Sequence, residues 1–502
     1  MARRLPIISA VLFALLLAVL AASPTAAAAP GAAFSASPTT GIAPLSVSFT
    51  DASSGSPTGW AWYFGDEAYS AANWTRQSDA VAFGSRSYAA SVALPDGSIV
   101  MTGGYIGGGT NDVWRSTDKG ASWTRQVEHA PWAGRSRHAA VCLPDGSIVV
   151  MGGRDSSNAR LNDVWRSTDK GATWTRQTEH AQWAARDSHA AVALPDGSIV
   201  LMGGTGAAEY NDAWRSTDRG ATWTRQTASA GWGVRYGLAA VCLPDGRIAV
   251  TGGFHYDSTL PQTYSDLWIS ADRGVSWTEQ VPDTSVVYTN FFYYGRRYHG
   301  SAALPDGSIL IVGGSGPGRM GTWGWWDDVV RLVDRGANWS IQRSTWQQRR
   351  AHSCVALRDG DVVVFGGETN ANINPDQQND AWRLETASST ARNPVHVYTK
   401  AGSYDAALRA YNDVGSASMK WTAYINVTAV LAVPGGTALP TDTDGDGLYD
   451  DVNGNGRKDF ADVVLYFNQM TWIAANEPVA AFDYNGNGRV DFADVVWLFN
   501  HL

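Results

Sequence analysis

One unit recurs six times along this chain, and the sixth copy is cut in a way that only a closed ring repairs. Each copy carries a Gly-Gly pair, at Gly103-Gly104, Gly152-Gly153, Gly203-Gly204, Gly252-Gly253, Gly313-Gly314 and Gly366-Gly367, at intervals of 49 to 61 residues. In five copies a tryptophan strand follows, beginning at Trp123, Trp174, Trp223, Trp277 or Trp339. The sixth such strand, Asn73-Trp74-Thr75-Arg76-Gln77, stands ahead of the first copy. An open array of sheets leaves unpaired edges, whereas lending the first strand to the last unit joins both chain ends in one sheet. The expected fold is mainly β, a closed six-bladed β-propeller.

The second copy shows the grammar of the unit. Arg135-x-x-His138 leads into Ala139-Ala140-Val141-Cys142-Leu143, a Pro144-Asp145-Gly146 turn, and Ser147-Ile148-Val149-Val150-Met151 up to the glycines. Apolar and β-branched runs broken by Pro-Asp-Gly read as a hairpin. A variable loop leads to Asn162-Asp163-Val164-Trp165, and Lys170-Gly171 turns the chain into Trp174-Thr175-Arg176-Gln177. One repeat is thus four antiparallel strands, the length of a propeller blade.

The order Arg-x-x-His, Gly-Gly, Asn-Asp-x-Trp resembles kelch repeats. Ser116-x-Asp118-x-Gly120-x-x-Trp123 resembles the Asp-box of sialidase-like propellers and recurs from Ser167, Ser216 and Ser270, with Leu332 replacing serine in the fifth copy. These resemblances imply the fold and leave activity open, since an Asp-box carboxylate folds a turn by bonding backbone amides.

Strand order puts the Pro-Asp-Gly and Asp-box turns on one, nearly constant face. The loops after Gly-Gly and between blades share the other, and variable loops on a rigid scaffold are where binding usually sits. Each joining loop there carries an aromatic residue three positions before an arginine: Phe83/Arg86, Trp132/Arg135, Trp183/Arg186, Trp232/Arg235, Tyr293/Arg296 and Trp346/Arg349. Two roles stand open. Guanidinium forks and ring faces suit an acidic sugar, or each pair locks neighbouring blades through cation–π contact and ion pairing with Asp112, Asp163 and their counterparts. Symmetry breaks most in the long loop that holds Tyr293 and Tyr294, and at Trp323-Gly324-Trp325-Trp326, so Tyr294 and Trp325 join the candidate ligand-binding residues. His138, His189, His299 and His352 share one repeat position and read as hydrogen-bonded strand residues rather than metal ligands. No catalytic set is evident.

The ring interrupts a second domain. Phe34 to Asp66, with Trp60-Ala61-Trp62-Tyr63-Phe64-Gly65-Asp66, and a later segment with Asn393-Pro394-Val395-His396-Val397-Tyr398 resemble the two halves of one polycystic-kidney-disease (PKD) domain, an immunoglobulin-like sandwich. The resemblance implies a propeller inserted in a sandwich loop, feasible because the ring's own ends meet.

The tail is acidic, with eleven Asp/Glu against three Lys/Arg from Thr441 onward, most of the chain's net charge of −9. That excludes general nucleic-acid affinity and suits a cation. Asp451, Asn453, Asn455, Asp459 and Asp462 stand at loop positions 1, 3, 5, 9 and 12 around Gly456, with the backbone carbonyl of Arg457 expected at position 7. Asp483, Asn485, Asn487, Arg489, Asp491 and Asp494 repeat the pattern around Gly488. Oxygen ligands at this spacing wrap calcium. Each loop enters an apolar helix, and the pair resembles a type I dockerin, which implies a cohesin-like partner. Phe460-Ala461 and Phe492-Ala493 replace the Ser-Thr that dockerins often present. Asp442, Asp444 and Asp446 form either a further ion loop or an acidic linker.

Two arginines before an apolar run from Leu5 to Leu20, with small residues to Ala29, read as a secretory signal. No later segment is apolar enough to span a bilayer. Cys142 and Cys242 occupy equivalent inner-strand positions two blades apart, too distant for a bridge, so the three cysteines read as thiols. The expected division is a signal peptide (1–29), sandwich halves (30–70 and 387–430) around the propeller (71–386), a linker (431–440) and a dockerin-like domain (441–502). Taken together the parts resemble archaeal surface proteins. They imply a secreted binding protein for a glycan or an extracellular protein, with calcium in its tail. An extracellular glycoside hydrolase or lyase is the alternative, and a purely structural envelope component a third.

Overall fold

The computed structural model describes residues 28–256, 262–280, 295–317, 323–336, 338–369 and 376–502. Six antiparallel sheets of the repeat order form the propeller. In the first blade the strands run Ala90–Ala93, Ile99–Thr102, Val113–Ser116 and Thr124–Val127 from the axis outward. The sixth blade takes Ser353–Ala356, Val362–Phe365 and Ala381–Leu384 from its own repeat and Trp74–Ser78 from ahead of the first. Leu384 faces Trp74 and Arg383 faces Thr75, so the ring is closed by pairing across some three hundred residues.

Burial alternates along the inner strands. Val92, Val141, Val192, Val241, Ala302 and Val355 point between blades and are buried. Their neighbours are alanine, serine or cysteine, and these half-buried side chains line the central channel. All three cysteines are free and face this channel. Burial pushes their thiols up, to about 12, 11 and 12 for Cys142, Cys242 and Cys354. The second strands, such as Ile148-Val149-Val150-Met151, lie wholly inside and read as continuous apolar runs.

The Gly-Gly pairs are where one blade meets the next. Gly152 and Gly153 have φ of 60° and 95°, a region that favours glycine. A Cβ on Gly153 would stand 2.6 Å from the Cβ of His138, while its N–H donates to the carbonyl of Arg186 in the following blade at 2.9 Å.

The Asp-box turn is built as its residues suggest. Asp118 accepts from the backbone N–H and hydroxyl of Ser122, and Ser116 Oγ accepts from Gly120 N–H at 2.9 Å. In the second, third and fourth blades the next residue of the turn reaches back to the Pro-Asp-Gly carboxylate of the preceding blade: Lys170 to Asp96 at 2.7 Å, Arg219 to Asp145 at 3.2 Å and Arg273 to Asp196 at 3.1 Å.

The propeller is inserted in an immunoglobulin-like sandwich. One sheet joins Phe34–Ser37, Leu45–Asp51 and Val395–Tyr398; the other joins Thr40–Ile42, Ser416–Thr428, Gly402–Tyr411 and Gly59–Tyr63. Residues separated by the whole propeller meet in its core: His396 stacks on Phe64 at 4.2 Å, and Tyr398 donates its hydroxyl to the Phe64 carbonyl. Helices Phe460–Asn476, Val479–Phe482 and Phe492–Asn500 form the tail around Tyr466, Ile473, Phe482 and Leu498. Val433, within the stretch expected to be a linker, is buried in this core.

Candidate functional site

The six repeated arginines turn inward rather than toward ligand. Arg86, Arg135, Arg186, Arg235, Arg296 and Arg349 are buried, and each forks onto the aspartate of its own blade: Asp112, Asp163, Asp212, Asp266, Asp328 and Asp380. Each also donates to the carbonyl of the first Gly-Gly residue, as Arg135 does to Gly152 at 3.0 Å. Burial pushes the Asp112, Asp163 and Asp380 carboxyls up, but the arginine hydrogen bonds and charge outweigh it and hold them below the usual range. With the backbone carbonyl of each arginine bound to the glycines of the blade before, this is the blade-locking geometry.

The aromatic partners are likewise internal. Trp132, Trp183 and Trp232 are at most 2% exposed and pack edge-on against Trp174, Trp223 and Trp277. Their faces are therefore closed to a ligand. Arg135 lies 5.4 Å from the Trp132 ring, whereas Arg186 takes Tyr210 at 4.0 Å and Arg296 takes Trp326 at 5.7 Å. Tyr293 and Tyr294 lie outside the described residues.

Two residues beyond each arginine the backbone forms a second ring. Tyr88, Arg137, Ser188, Gly237, Tyr298 and Ala351 all have φ between 54° and 64°. The N–H of each donates to the carbonyl of the one before, and Tyr88 donates to Ala351, closing a circle of six hydrogen bonds of 2.8 to 3.0 Å. Left-handed backbone at five non-glycine residues costs energy and persists where the surroundings over-determine it, a pattern that clusters at functional sites. The circle frames the variable-face mouth of the channel, a cavity of about 140 Å³.

Side chains around this mouth break the sixfold symmetry. Arg137 lies over Tyr88 at 4.1 Å and Tyr298 at 5.5 Å and donates to the Tyr298 hydroxyl at 3.0 Å; no carboxylate among the described residues is in ion-pair range of it. Arg350 donates to Glu368 at 2.8 Å and covers the ring of Trp325 at 4.5 Å. Arg297 donates to the Tyr236 hydroxyl at 3.2 Å over Phe254 at 4.3 Å. Tyr88 donates to Glu368 at 3.0 Å; burial pushes its phenol up and keeps it protonated. Half-exposed guanidinium and phenol groups gathered at one rim can hold a carboxylate by charge and a sugar ring by stacking.

Four histidines stand just inside the mouth. His138 and His299 each bond a threonine, Thr102 and Thr251, at 2.9 Å, as hydrogen-bonded strand residues should. His189 and His352 have no hydrogen-bond partner among the described residues, against the expectation from sequence. Burial first and then the ring arginines pull His189, His299 and His352 down to about 3, so all three are neutral at pH 7.

In the tail, both loops close on their first carboxylate. Asp451 accepts from the N–H groups of Asn455 and Gly456 at 2.9 and 2.8 Å, and Asp483 from Asn487 and Gly488 at 3.0 and 2.6 Å. Asp462 and Asp494, both fully buried, return to bond Asn453 and Asn485, while Asp459 and Asp491 cap the helices. Burial first, and then the neighbouring loop aspartates, push the Asp462 and Asp494 carboxyls up. Asn453 Oδ1 is buried with no hydrogen-bond partner among the described residues. Crowded carboxylates and an orphaned buried oxygen fit a hard divalent cation. Arg457 and Arg489 follow glycines at φ of 81° and 83°, where the loop turns. Across the two helices Phe460 meets Phe499 at 6.1 Å and Phe467 meets Phe492 at 6.0 Å, each ring more than half exposed.

The mouth residues Tyr88, Arg137, Arg297, Tyr298, Arg350 and Glu368 stand at positions that no repeat marks. Their signal was variation itself. After each constant arginine the next two residues differ in every blade: Ser-Tyr, Ser-Arg, Asp-Ser, Tyr-Gly, Arg-Tyr and Arg-Ala.

Residues 88–314 match the KLHDC2/KLHL20/DRC7 Kelch-repeats domain, and residues 449–502 match the dockerin type I domain. No curated protein matches the chain. Among solved structures, one titled "Structure of YjhT" is similar at 15% identity with a TM-score of 0.48, covering 61% of this chain and 96% of that one. These two matches support a kelch-like propeller followed by a C-terminal dockerin domain.

Proposed function

We propose that this chain is a secreted binding protein whose propeller mouth holds a carboxylate-bearing glycan while its tail docks to a protein partner in calcium. The observation that carries the reading is Arg137, a cation at the rim whose described contacts are phenols rather than a carboxylate. A sugar carboxylate would accept from the open edge of that guanidinium, with Arg297 and Arg350 flanking, and Tyr298 and Trp325 offering faces for the ring. On this reading the buried arginines at 86, 135, 186, 235, 296 and 349 hold the blades in register.

In the tail, Asp451, Asn453, Asn455, Asp459 and Asp462, with the carbonyl of Arg457, would hold one calcium ion; Asp483, Asn485, Asn487, Asp491, Asp494 and the carbonyl of Arg489 would hold the second. A bound calcium ion would neutralise the buried carboxylates of Asp462 and Asp494 and so hold the two helices that they begin. The paired phenylalanines then present an apolar surface to a cohesin-like module, in place of the hydroxyls common in dockerins. The sandwich is read as a PKD domain in two halves, 30–70 and 387–430, that spaces the propeller (71–386) from the surface. Residues 1–29 are read as the signal that exports the chain; most lie outside the described residues.

Binding of the full chain to a panel of neutral and acidic glycans tests the reading. Acidic glycans should bind, Arg137→Ala should lose them, and Tyr298→Phe should weaken them. Equal binding by Arg137→Ala would remove the mouth as the site. A hydrolase or lyase is the second reading, and the Tyr88–Glu368 hydrogen bond beside Arg137 and Arg350 is the observation that favours it. Release of reducing ends from a bound glycan, lost in Glu368→Gln, would select it.

A further inference from the structure

The far end of the channel carries an arginine that no described carboxylate reaches within ion-pair range. On the constant face the sandwich hairpin of Gly402–Tyr411 and Ser416–Thr428 is pressed against the Pro-Asp-Gly turns. Arg358 fastens it there, donating to the carbonyls of Pro95 and Asn412 and pairing with Asp413 at 2.7 Å. Arg409 stands on this hairpin and lines the channel cavity of about 590 Å³, where among the described residues it is the single charged one of the lining. Its Nε and one terminal nitrogen donate to Ser416 Oγ at 3.1 and 2.9 Å. Among the described residues no carboxylate stands in ion-pair range of Arg409. Asp359 supports its charge from a distance, and is itself held by Lys119.

We propose that the floor of the channel is a binding site for a small monovalent anion, a halide or a small carboxylate, held by the free edge of the Arg409 guanidinium with Ser416 and Ser418. A half-buried charge in a narrow channel gains from a counter-charge, and since no described carboxylate lines this cavity, an anion from solution can supply it. One guanidinium among alanine, serine and cysteine matches a single negative charge; a phosphate dianion would leave the second uncompensated. Burial already pulls the Arg409 guanidinium down, which an anion would reverse. The bound anion would also tie the sandwich to the propeller, because Arg409 and Ser416 belong to the hairpin and the channel wall to the blades. The mouth residues take no part, so failure of glycan binding leaves this site standing.

Thermal unfolding of the full chain, with bromide or acetate titrated against sulfate at constant ionic strength, gives the test. The midpoint should rise saturably by about 2–4 °C in bromide or acetate. Arg409→Gln should lose the rise, and Arg409→Lys should keep part of it. A bromide-soaked crystal of the wild-type chain should show its anomalous peak beside Arg409. An equal rise in sulfate or in Arg409→Gln, or no saturable rise, would overturn the proposal. If Arg409→Gln does not fold, the crystal decides: no peak at Arg409 refutes the site. A peak without saturable stabilisation is an adventitious ion only and also overturns it.

Discussion

Arg76 lies opposite Trp382 in the sixth blade, its guanidinium 5.4 Å from the indole centroid, although the whole propeller separates them in sequence. The strand that carries Arg76 also places Trp74 against Trp346 at 5.8 Å, buried between two blades. Trp74→Ala should therefore act on closure of the ring and cost about 3–5 kcal/mol, the range for a buried aromatic truncated to alanine. Urea unfolding followed by tryptophan fluorescence measures it, and a loss below 1 kcal/mol would mean that the closing strand contributes little.

Inner and outer arginines should separate in experiment. Arg186 is buried on Asp212, so Arg186→Ala leaves a buried carboxylate without its partner and should cost about 3–5 kcal/mol. Arg137→Ala removes a rim cation with no described ion pair and should change stability by less than about 1 kcal/mol while abolishing acidic-glycan binding. Denaturation and glycan titration of the two variants side by side decide the matter.

Acid should weaken the propeller before it reaches the carboxylate range. His189, His299 and His352 titrate near 3 in the folded chain and near 6.5 when unfolded. The unfolded chain thus binds these protons first, so stability is full above about pH 6.5 and falls as the pH drops toward 3. Each imidazole contributes a loss of about 1.4 kcal/mol per pH unit in that window. Blade four carries Leu238 at the same position, so His189→Leu should fold and flatten the slope. An unchanged slope between pH 6 and 4 would sink the assignment.

Calcium should order the tail of the full chain. Limited proteolysis ought to cut within 441–502 in chelator and spare it in calcium. Asp451→Ala with Asp483→Ala should raise the calcium needed for protection by at least roughly tenfold. Protection independent of calcium would refute the metal reading.

A paired exchange would test the docking surface. Phe460→Ser with Phe492→Ser should leave the calcium response intact, because both rings are exposed and neither belongs to the helical core. Capture of an immobilised cohesin module should fall at the same time if these rings make the contact. Unchanged capture would move the contact elsewhere.

The repeat, the displaced Trp74 strand and the two calcium-type loops were legible in the residues themselves, because turns, strand alternation and ligand spacing are local and periodic. Val92 and Ser91 declare their opposite faces by alternation alone, and Gly152-Gly153 declares a backbone that tolerates no Cβ. The direction taken by each repeated arginine was not legible, since a guanidinium beside an aromatic suits a ligand and a blade lock equally; only the position of Asp163 beside Arg135 chose between them. The rim of Tyr88, Arg137, Tyr298, Arg350 and Glu368 gathers residues from four different blades and loops, and no local pattern joins them. Likewise Arg409 is an ordinary strand residue until the hairpin carries it into the channel. Sequence determined the units and their closure through short-range chemistry; tertiary structure alone decided which charges meet, because that depends on distances between blades that no spacing along the chain encodes.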